Sequence, residues 1–167
     1  VVQDKSHLTP EEKKQVEDKV KAKNPGKTVT VGEDGTATVT DPSTKISHPI
    51  EGKDLVIEDF TPVKPDEKVV VQDKSHLTPE EKKQVEDKVK AKNPGKTVTV
   101  GEDGTATVTD PSTKISHPIA GKDLVNQDFT PVKPDEKVVV QDKSHLTPEE
   151  KKQVEDKVKA KNPGKTV

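Results

Sequence analysis

The segment from Leu8 to Thr40 carries the start and stop signals of one helix and one β-hairpin, and it reads LTPEEKKQVEDKVKAKNPGKTVTVGEDGTATVT. Residues 9–12, Thr-Pro-Glu-Glu, have the form of a capping box, with Thr9 as the N-cap and proline at the first helical position. Residues 24–26, Asn-Pro-Gly, end the pattern, because this tripeptide is typical of the turn after a helix. We therefore predict a helix from Pro10 to about Lys23.

The hairpin follows directly after the helix. Residues 27–31 and 36–40 alternate apolar and polar side chains with a period of two, and Gly32-Glu33-Asp34-Gly35 between them contains the Asp-Gly turn signal. One face of the hairpin carries Val29, Val31, Ala37 and Val39, whereas the other carries only threonine. A helix of about 14 residues is marginal alone in water, so we expect it to pack on the apolar face. The predicted fold class is α+β, with one helix on a short antiparallel sheet.

The residues after the hairpin have weaker signals. Ile46, His48 and Ile50 alternate as an edge strand that is interrupted by Pro49, and residues 55–57 with Phe60 form a second short apolar run. Residues 60–68 contain two prolines and charges of both signs, which predicts a short, stiff and extended connector.

The whole unit repeats. The segment VVQDKSHLTPEEKKQVEDKVKAKNPGKTV begins at Val1, Val70 and Val139, a strict period of 69 residues. We therefore divide the chain into repeats 1–69, 70–138 and a partial third repeat 139–167 that holds the helix, with connectors at about 60–68 and 129–137. The phase stays open, since the module could start at Val1 or near Lys27.

The copies are nearly identical. Residues 1–98 differ from residues 70–167 at three positions, where Glu51, Ile57 and Glu58 become Ala, Asn and Gln. Because an amide replaces the aliphatic side chain of Ile57, we expect this position to be exposed or at the rim of a module. Interchangeable copies supply length or valency, whereas an enzyme needs one constellation of groups, so we expect no catalysis.

Composition excludes several classes of protein. Apolar residues make up 26% and charged residues 36% of the chain, so we expect only a thin hydrophobic core. With so few apolar residues, a disordered spacer stays an open alternative. The net charge is -2, arginine is absent and the aromatic residues are two phenylalanines, so we expect no nucleic-acid partner. The longest apolar run has three residues, so we expect no membrane segment in this piece. The absence of cysteine excludes disulfides and thiolate chemistry.

Five histidines, His7, His48, His76, His117 and His145, recur with the repeat. Their spacing does not match a zinc signature, so we expect no metal and assign them to solvent-facing or capping positions. Neighbouring carboxylates such as Glu11-Glu12 and Glu33-Asp34 do not face a common substrate, so we expect no catalytic or cofactor-binding residue. The lysines of the helix alternate with acids, which is typical of a solvated face, although they leave glycan binding open.

Together, the LTPEEKKQVEDKVKAKNP helix, the KTVTVGEDGTATVTDPSTK hairpin and the VKPDEK connectors resemble a known family of repeats. They are similar to the tandem repeats of Gram-positive cell-wall-anchored surface proteins, in particular the Rib and Long Rib (alpha-like) class. The Thr40–Thr44 segment departs from that class. The resemblance implies a secreted protein anchored to the cell wall, whose repeats form a stalk that projects a terminal adhesive domain.

Two functions follow as expectations. The first is a structural stalk, an elongated rod of small modules in which each repeat has neighbouring repeats of the same chain as its partners. The second is a multivalent adhesin whose repeats themselves bind a host extracellular-matrix protein or glycan.

Overall fold

The computed structural model describes all residues from 1 to 167, and it confirms the α+β class. The chain divides into two compact units, residues 1–126 and 127–167, which are described separately. The first repeat contains α1 (Pro10–Lys23), β1 (Thr28–Val31), β2 (Ala37–Thr40), β3 (Ser47–Ile50) and a 3-10 turn (Gly52–Asp54). The second contains β4 (Val69–Val71), α2 (Pro79–Lys92), β5 (Thr97–Val100), β6 (Ala106–Thr109), β7 (Ser116–Ile119), a 3-10 turn (Gly121–Asp123) and β8 (Val125–Gln127). The third holds α3 (Pro148–Lys161).

The helix boundaries agree with the capping signals. In α1 the Glu12 N–H donates to Thr9 Oγ1 at 3.2 Å, and the Thr9 N–H donates back to Glu12 Oε2 at 2.9 Å. These two bonds satisfy donors that the first turn of a helix leaves without partners. The same reciprocal pair closes the first turns of α2 and α3, so the predicted capping box is confirmed in all three copies.

Each complete repeat has a three-stranded antiparallel sheet. The orders are β1-β2-β3 and β5-β6-β7, with Val29 opposite Val39 in the first sheet and Val98 opposite Val108 in the second. The predicted hairpin and the predicted edge strand are therefore both confirmed. Pro49 lies on β3, opposite Thr38, and an edge strand accommodates a residue that has no backbone N–H to donate.

The two ends of a repeat meet beside the helix. The Val2 N–H donates to the Ile57 carbonyl at 2.8 Å, and the Asp59 N–H donates to the Val2 carbonyl at 2.8 Å. In the second repeat the equivalent strands β4 and β8 form a two-stranded sheet. Ile57 itself is 44% exposed, which confirms that the variable position lies at the surface.

Each repeat has its own core between the helix and the sheet. Val16, Val20 and Val29 belong to the first core, and Val85, Val89 and Val98 are their equivalents in the second. The second core is better covered, although the sequences are the same. Val39 and Ile50 are only partly buried in the first repeat, whereas their equivalents Val108 and Ile119 are 0% and 3% exposed.

Residues 60–68, predicted as a connector, contact the second repeat. The backbone of Val63 is hydrogen-bonded to the side chain of Asn93 at the end of α2, and Lys92 forms an ion pair with Asp66 at 2.8 Å. This segment and Val69 add apolar cover that the first repeat lacks, since Val69 is buried and Phe60 packs against the second core. The extra burial of the second repeat has this origin.

The unit formed by residues 127–167 consists of α3 and the segment that precedes it. Val132 is bound to Asn162 in the same way as Val63 is bound to Asn93, and Lys161 pairs with Asp135. None of the residues of α3 is fully buried.

Candidate interaction site

The side chain of Phe60 is the centre of a mixed aromatic and polar cluster on the second repeat. Its ring lies edge-on to the imidazole of His117, with centroids 5.0 Å apart and an interplanar angle of 76°. The ammonium of Lys96 lies 4.9 Å from the centre of the same ring, within the range of a cation–π interaction. Phe60 therefore contributes apolar burial and also fixes the positions of two polar side chains.

Asp59 binds the other side of this histidine. Its Oδ1 atom lies 2.6 Å from Nε2 of His117, and it also accepts the Phe60 N–H at 2.8 Å. The bond with His117, followed by the bond with the Phe60 N–H, lowers the pKa of the Asp59 carboxyl below its usual range. Asp59 is thus an ionised partner that links residues 58 positions apart in the sequence.

Lys96 is oriented by a second carboxylate. Its ammonium lies 2.7 Å from Oδ2 of Asp110, and Oδ1 of Asp110 accepts hydrogen bonds from the Ser112 hydroxyl and N–H. The bond from Lys96 and then the bonds from Ser112 hold the pKa of Asp110 well below its usual range. The ionised carboxylate of Asp110 therefore stabilises the loop after β6.

Asn93 holds the segment that carries Phe60. Its side chain accepts the Val63 N–H and donates to the carbonyl oxygens of Val63 and Val89, each at 2.8 Å. Asn93 is 6% exposed and Val63 is 52% exposed, so the bond to Val89 is buried and the two bonds to Val63 are partly buried. The C-cap of α2 is thus also a clamp for an extended segment.

The first repeat has the same groove, but it is open. Its cavity of about 500 Å³ lies against the sheet and the end of α1. Its side chains include Asn24, Lys27, Val39, Ile46, His48 and Ile50. Ile46 is 58% exposed there, and the Asn24 side chain is hydrogen-bonded only to the Val20 carbonyl.

The remaining histidines sit in a different environment. His7, His76 and His145 each lie 3.3–3.4 Å from the aspartate three positions earlier, on the exposed loop before the helix. These positions agree with a solvent-facing role. Nowhere in the structure do three or more His, Asp or Glu side chains come together in a group that could hold a metal ion.

The neighbouring carboxylates have structural partners. Glu12 belongs to the capping box, and the bonds from the Thr9 and Gln3 backbone lower its pKa. Asp34 accepts the Thr36 N–H and hydroxyl, each at 3.0 Å, which closes the hairpin turn and lowers the pKa of Asp34. These groups stabilise the backbone in turns and caps, and they do not converge on a common site.

Sequence reasoning missed the cluster around Phe60. It did not single out Asp59, it assigned His117 to a solvent-facing or capping position, and it interpreted Phe60 as part of a weak apolar run, whereas His117 is a partly buried partner of Asp59. One signal was available, since Phe60 is the sole aromatic side chain of its 69-residue period. The partners could not be found locally, because His117 and Lys96 lie 57 and 36 positions further along the chain.

The fold defines a class of protein: small α+β modules in tandem, with a helix packed on a three-stranded sheet in each complete repeat. The chain belongs to the atypical Rib domain family, which matches residues 1–59, 60–128 and 129–167. This confirms the predicted membership among Rib-type tandem repeats of surface proteins, and it indicates an extracellular protein of the bacterial surface. The matches begin at residues 60 and 129, so each proline-containing segment is grouped with the helix after it. The division at 69 and 138 stays a prediction.

Several solved structures are similar to the chain. The sialic acid binding region of an adhesin of Streptococcus sanguinis SK1, bound to 3'sLn, is 15% identical, with a TM-score of 0.38 over 77% of this chain and 65% of that chain. The SrpA adhesin from Streptococcus sanguinis is 27% identical, with a TM-score of 0.40 over 63% of this chain and 52% of that chain. The GspB Siglec domain is 23% identical, with a TM-score of 0.42 over 61% and 70%.

These likenesses do not define a ligand of this chain, because all three TM-scores lie below 0.5. The chain spans less than two thirds of the length of the first two structures. No curated protein sequence matches it significantly. None of its helices has the length and apolar character needed to cross a membrane.

Proposed function

We propose that the chain is a row of structural spacer repeats in a cell-wall-anchored bacterial surface adhesin, and that the row projects a terminal binding domain from the cell. Membership in the atypical Rib domain family supports the location. The observation that carries the proposal is that a 69-residue unit recurs almost unchanged and forms the same helix and sheet in both complete copies. Identical units extend a chain in whole steps without requiring a new interface for each step.

The contacts of Asp59 support neighbouring repeats as each other's partners. Asp59 is bound to Val2 in the first repeat by its backbone and to His117 in the second by its side chain. One residue therefore reaches both repeats, which restricts their relative motion. In this proposal a row of such contacts gives an elongated and stiff array.

Small-angle scattering on chains of one, two and four repeats tests the spacer function. We expect the maximum dimension to rise linearly, by about 3 nm for each repeat, since a 69-residue module has a radius of gyration of roughly 11 Å. A maximum dimension that grows only as the cube root of the mass would show a compact globule and would exclude the stalk.

A second candidate is multivalent binding of a host extracellular-matrix protein or glycan by the repeats themselves. The repeat itself supports this candidate, because a surface site on one copy recurs on the next copy after 69 residues. The apparent affinity of host ligands for one-repeat and two-repeat chains, measured by surface binding, distinguishes the spacer from the multivalent adhesin. Multivalent binding predicts an apparent affinity that rises by a factor of about 100 or more from one repeat to two, whereas a spacer binds in neither form.

We also propose that the chain is not an enzyme. The aspartates and glutamates with displaced pKa values are engaged by turn backbone, by cap backbone, by lysine or by histidine, as for Asp34, Glu12, Asp110 and Asp59. Such partners keep a carboxylate ionised and occupied, which is opposite to what a general acid needs. Turnover that disappeared on substitution of one of these carboxylates would contradict this proposal.

A further inference from the structure

We propose that each complete repeat withstands tension along the chain through its first and last strands, which a pull on the two ends of the repeat loads in shear. The tension follows from the spacer function, on which this proposal rests, because a spacer anchored at one end is stretched by whatever its other end holds. Resistance to force goes beyond that function, since a row of repeats could supply length without it.

The first and last strands of a repeat lie side by side and run in the same direction. In the first repeat Val2 forms a parallel bridge with Glu58. The Val2 N–H donates to the Ile57 carbonyl, and the Asp59 N–H donates to the Val2 carbonyl, each at 2.8 Å. A residue bonded to both neighbours of its partner is the pattern of parallel strands. The first and last strands of a repeat are called the terminal pair below.

The second repeat has the same terminal pair, formed by β4 and β8. The Val69 N–H donates to the Leu124 carbonyl at 2.8 Å. Both residues lie two positions before the equivalents of Val2 and Ile57, so the two strands advance together. Val69 and Val71 are buried in the second core. Backbone bonds and buried side chains therefore join the terminal pair.

The direction of the strands determines how the terminal pair responds to a pull. The chain enters the repeat before the first strand and leaves it after the last strand. Because the strands are parallel, these two points lie at opposite ends of the terminal pair. Tension therefore pulls one strand along the other and loads the hydrogen bonds between them together. In an antiparallel hairpin the chain enters and leaves at the same end, so a pull breaks the bonds one after another.

The segment before β4 is attached in a different way. Val63 is held by Asn93, and Asp66 is held by Lys92, at separate points of the segment. A pull on residue 60 loads these contacts in turn, so they open before the terminal pair. They contribute to the equilibrium stability of the repeat, but they do not determine the force that unfolds it.

Single-molecule force spectroscopy on the 167-residue chain tests the proposal by comparing two directions of pulling. The chain has no cysteine, so pairs of introduced cysteines define where the force is applied. Lys68→Cys with Asp128→Cys pulls the terminal pair in shear. Thr97→Cys with Pro111→Cys peels β5 from β6, because Thr97 lies opposite Thr109 at the open end of the hairpin. The four substituted positions are exposed, so the fold is preserved.

The two directions are expected to give different forces. In the terminal pull we expect one distinct step that releases about 20 nm, at roughly 0.35 nm for each of about 60 residues. Because forced unfolding follows the unfolding barrier, we expect this step to need at least about twice the force that opens the hairpin. Equal forces in the two directions, or gradual extension without a distinct step, would overturn the proposal.

Two variants separate the terminal pair from general stability. Val69→Pro removes the N–H that donates to Leu124, and proline is tolerated at the first residue of a strand. Asn93→Ala removes the side chain that holds the preceding segment. We expect Val69→Pro to lower the force of the terminal pull by about half, and Asn93→Ala to leave it unchanged although equilibrium stability falls. A force that decreases equally in both variants would show that the terminal pair has no special role.

Scattering and force spectroscopy have separate outcomes. An elongated array whose terminal pair yields as easily as the hairpin would overturn the resistance to tension and leave the spacer function intact. A compact globule in scattering would remove the spacer function, and with it the tension that the terminal pair is proposed to resist.

Discussion

Asn24 and Asn93 occupy the same position in two copies of one repeat, but their side chains form different numbers of hydrogen bonds. Both cap a helix, and both donate to a carbonyl four residues earlier at 2.8 Å. Only Asn93 also binds both backbone groups of Val63. A comparison of the two asparagines therefore measures how much the bonds to Val63 contribute to stability.

We predict that Asn93→Ala lowers the free energy of unfolding by about 2–3 kcal/mol, because it breaks three hydrogen bonds and leaves backbone groups without partners. Asn24→Ala serves as the matched control and is expected to cost about 1 kcal/mol, since a single bond is lost. Urea denaturation followed by circular dichroism measures both. Equal costs for the two variants would contradict the clamp.

Gly121 allows the closest backbone approach in the second repeat. An added Cβ atom would lie 2.1 Å from the carbonyl oxygen of Asp103 in the hairpin turn, a distance that backbone atoms cannot tolerate. Gly95 is the useful comparison, because its φ of +79° favours glycine but nothing lies within 4 Å of the added atom.

We predict that Gly121→Ala costs about 3 kcal/mol through displacement of the turn from the 3-10 segment. Gly95→Ala is expected to cost only about 1 kcal/mol, the strain of the left-handed conformation. Thermal unfolding midpoints of the two variants check the difference. A Gly121→Ala protein as stable as the Gly95→Ala protein would mean that the turn and the 3-10 segment are not in contact.

At the scale of elements, the helices and hairpins were predictable because their signals are local. Thr9, Pro10 and Glu12 lie within one turn of each other, so the start of α1 follows from four consecutive residues. The β3 strand could also be predicted, since Ile46, His48 and Ile50 recur at every second position. Asp59, Phe60 and His117 were not, because no local pattern shows which residue 58 positions away is the partner.

The loop between β6 and β7 depends on an ionised carboxylate. Because Lys96 and then Ser112 lower the pKa of Asp110, the folded state binds its proton less readily than the unfolded state. The stability that this group contributes is therefore fully present above its unfolded pKa, near 4, and is lost as the pH falls towards the folded pKa.

We predict that stability is nearly constant from about pH 7 to pH 5 and decreases below about pH 4. In the Asp110→Asn variant the stability at pH 7 is lower and the decrease on acidification is shallower, because one titrating group is gone. Urea midpoints between about pH 2 and pH 7 measure the effect. Asp54→Asn is the control, since Asp54 is exposed and forms no ion pair, and its profile is expected to parallel that of the wild type.

At the scale of the whole molecule, two nearly identical repeats differ in how well they are covered. Val108 and Ile119 are buried under the segment that carries Phe60, whereas Val39 and Ile50 line an open groove. The difference in burial comes from the segment that covers the second sheet, so it could not be predicted from the sequence of a single repeat. It also means that stability is distributed unevenly along a chain whose sequence is periodic.

We predict that Phe60→Ala lowers the stability of the second repeat by about 2 kcal/mol, less than for a fully buried phenylalanine because this ring is partly exposed. Phe129→Ala is the matched control: the same substitution in the same sequence context is expected to cost less than about 0.5 kcal/mol, because the Phe129 ring is 53% exposed and contacts mainly Lys165. Hydrogen exchange of the Val108 amide reports on the second repeat specifically and is expected to accelerate only in Phe60→Ala. If both variants unfold alike, then the cover over β6 does not depend on Phe60, and the difference in burial between the repeats has no energetic consequence.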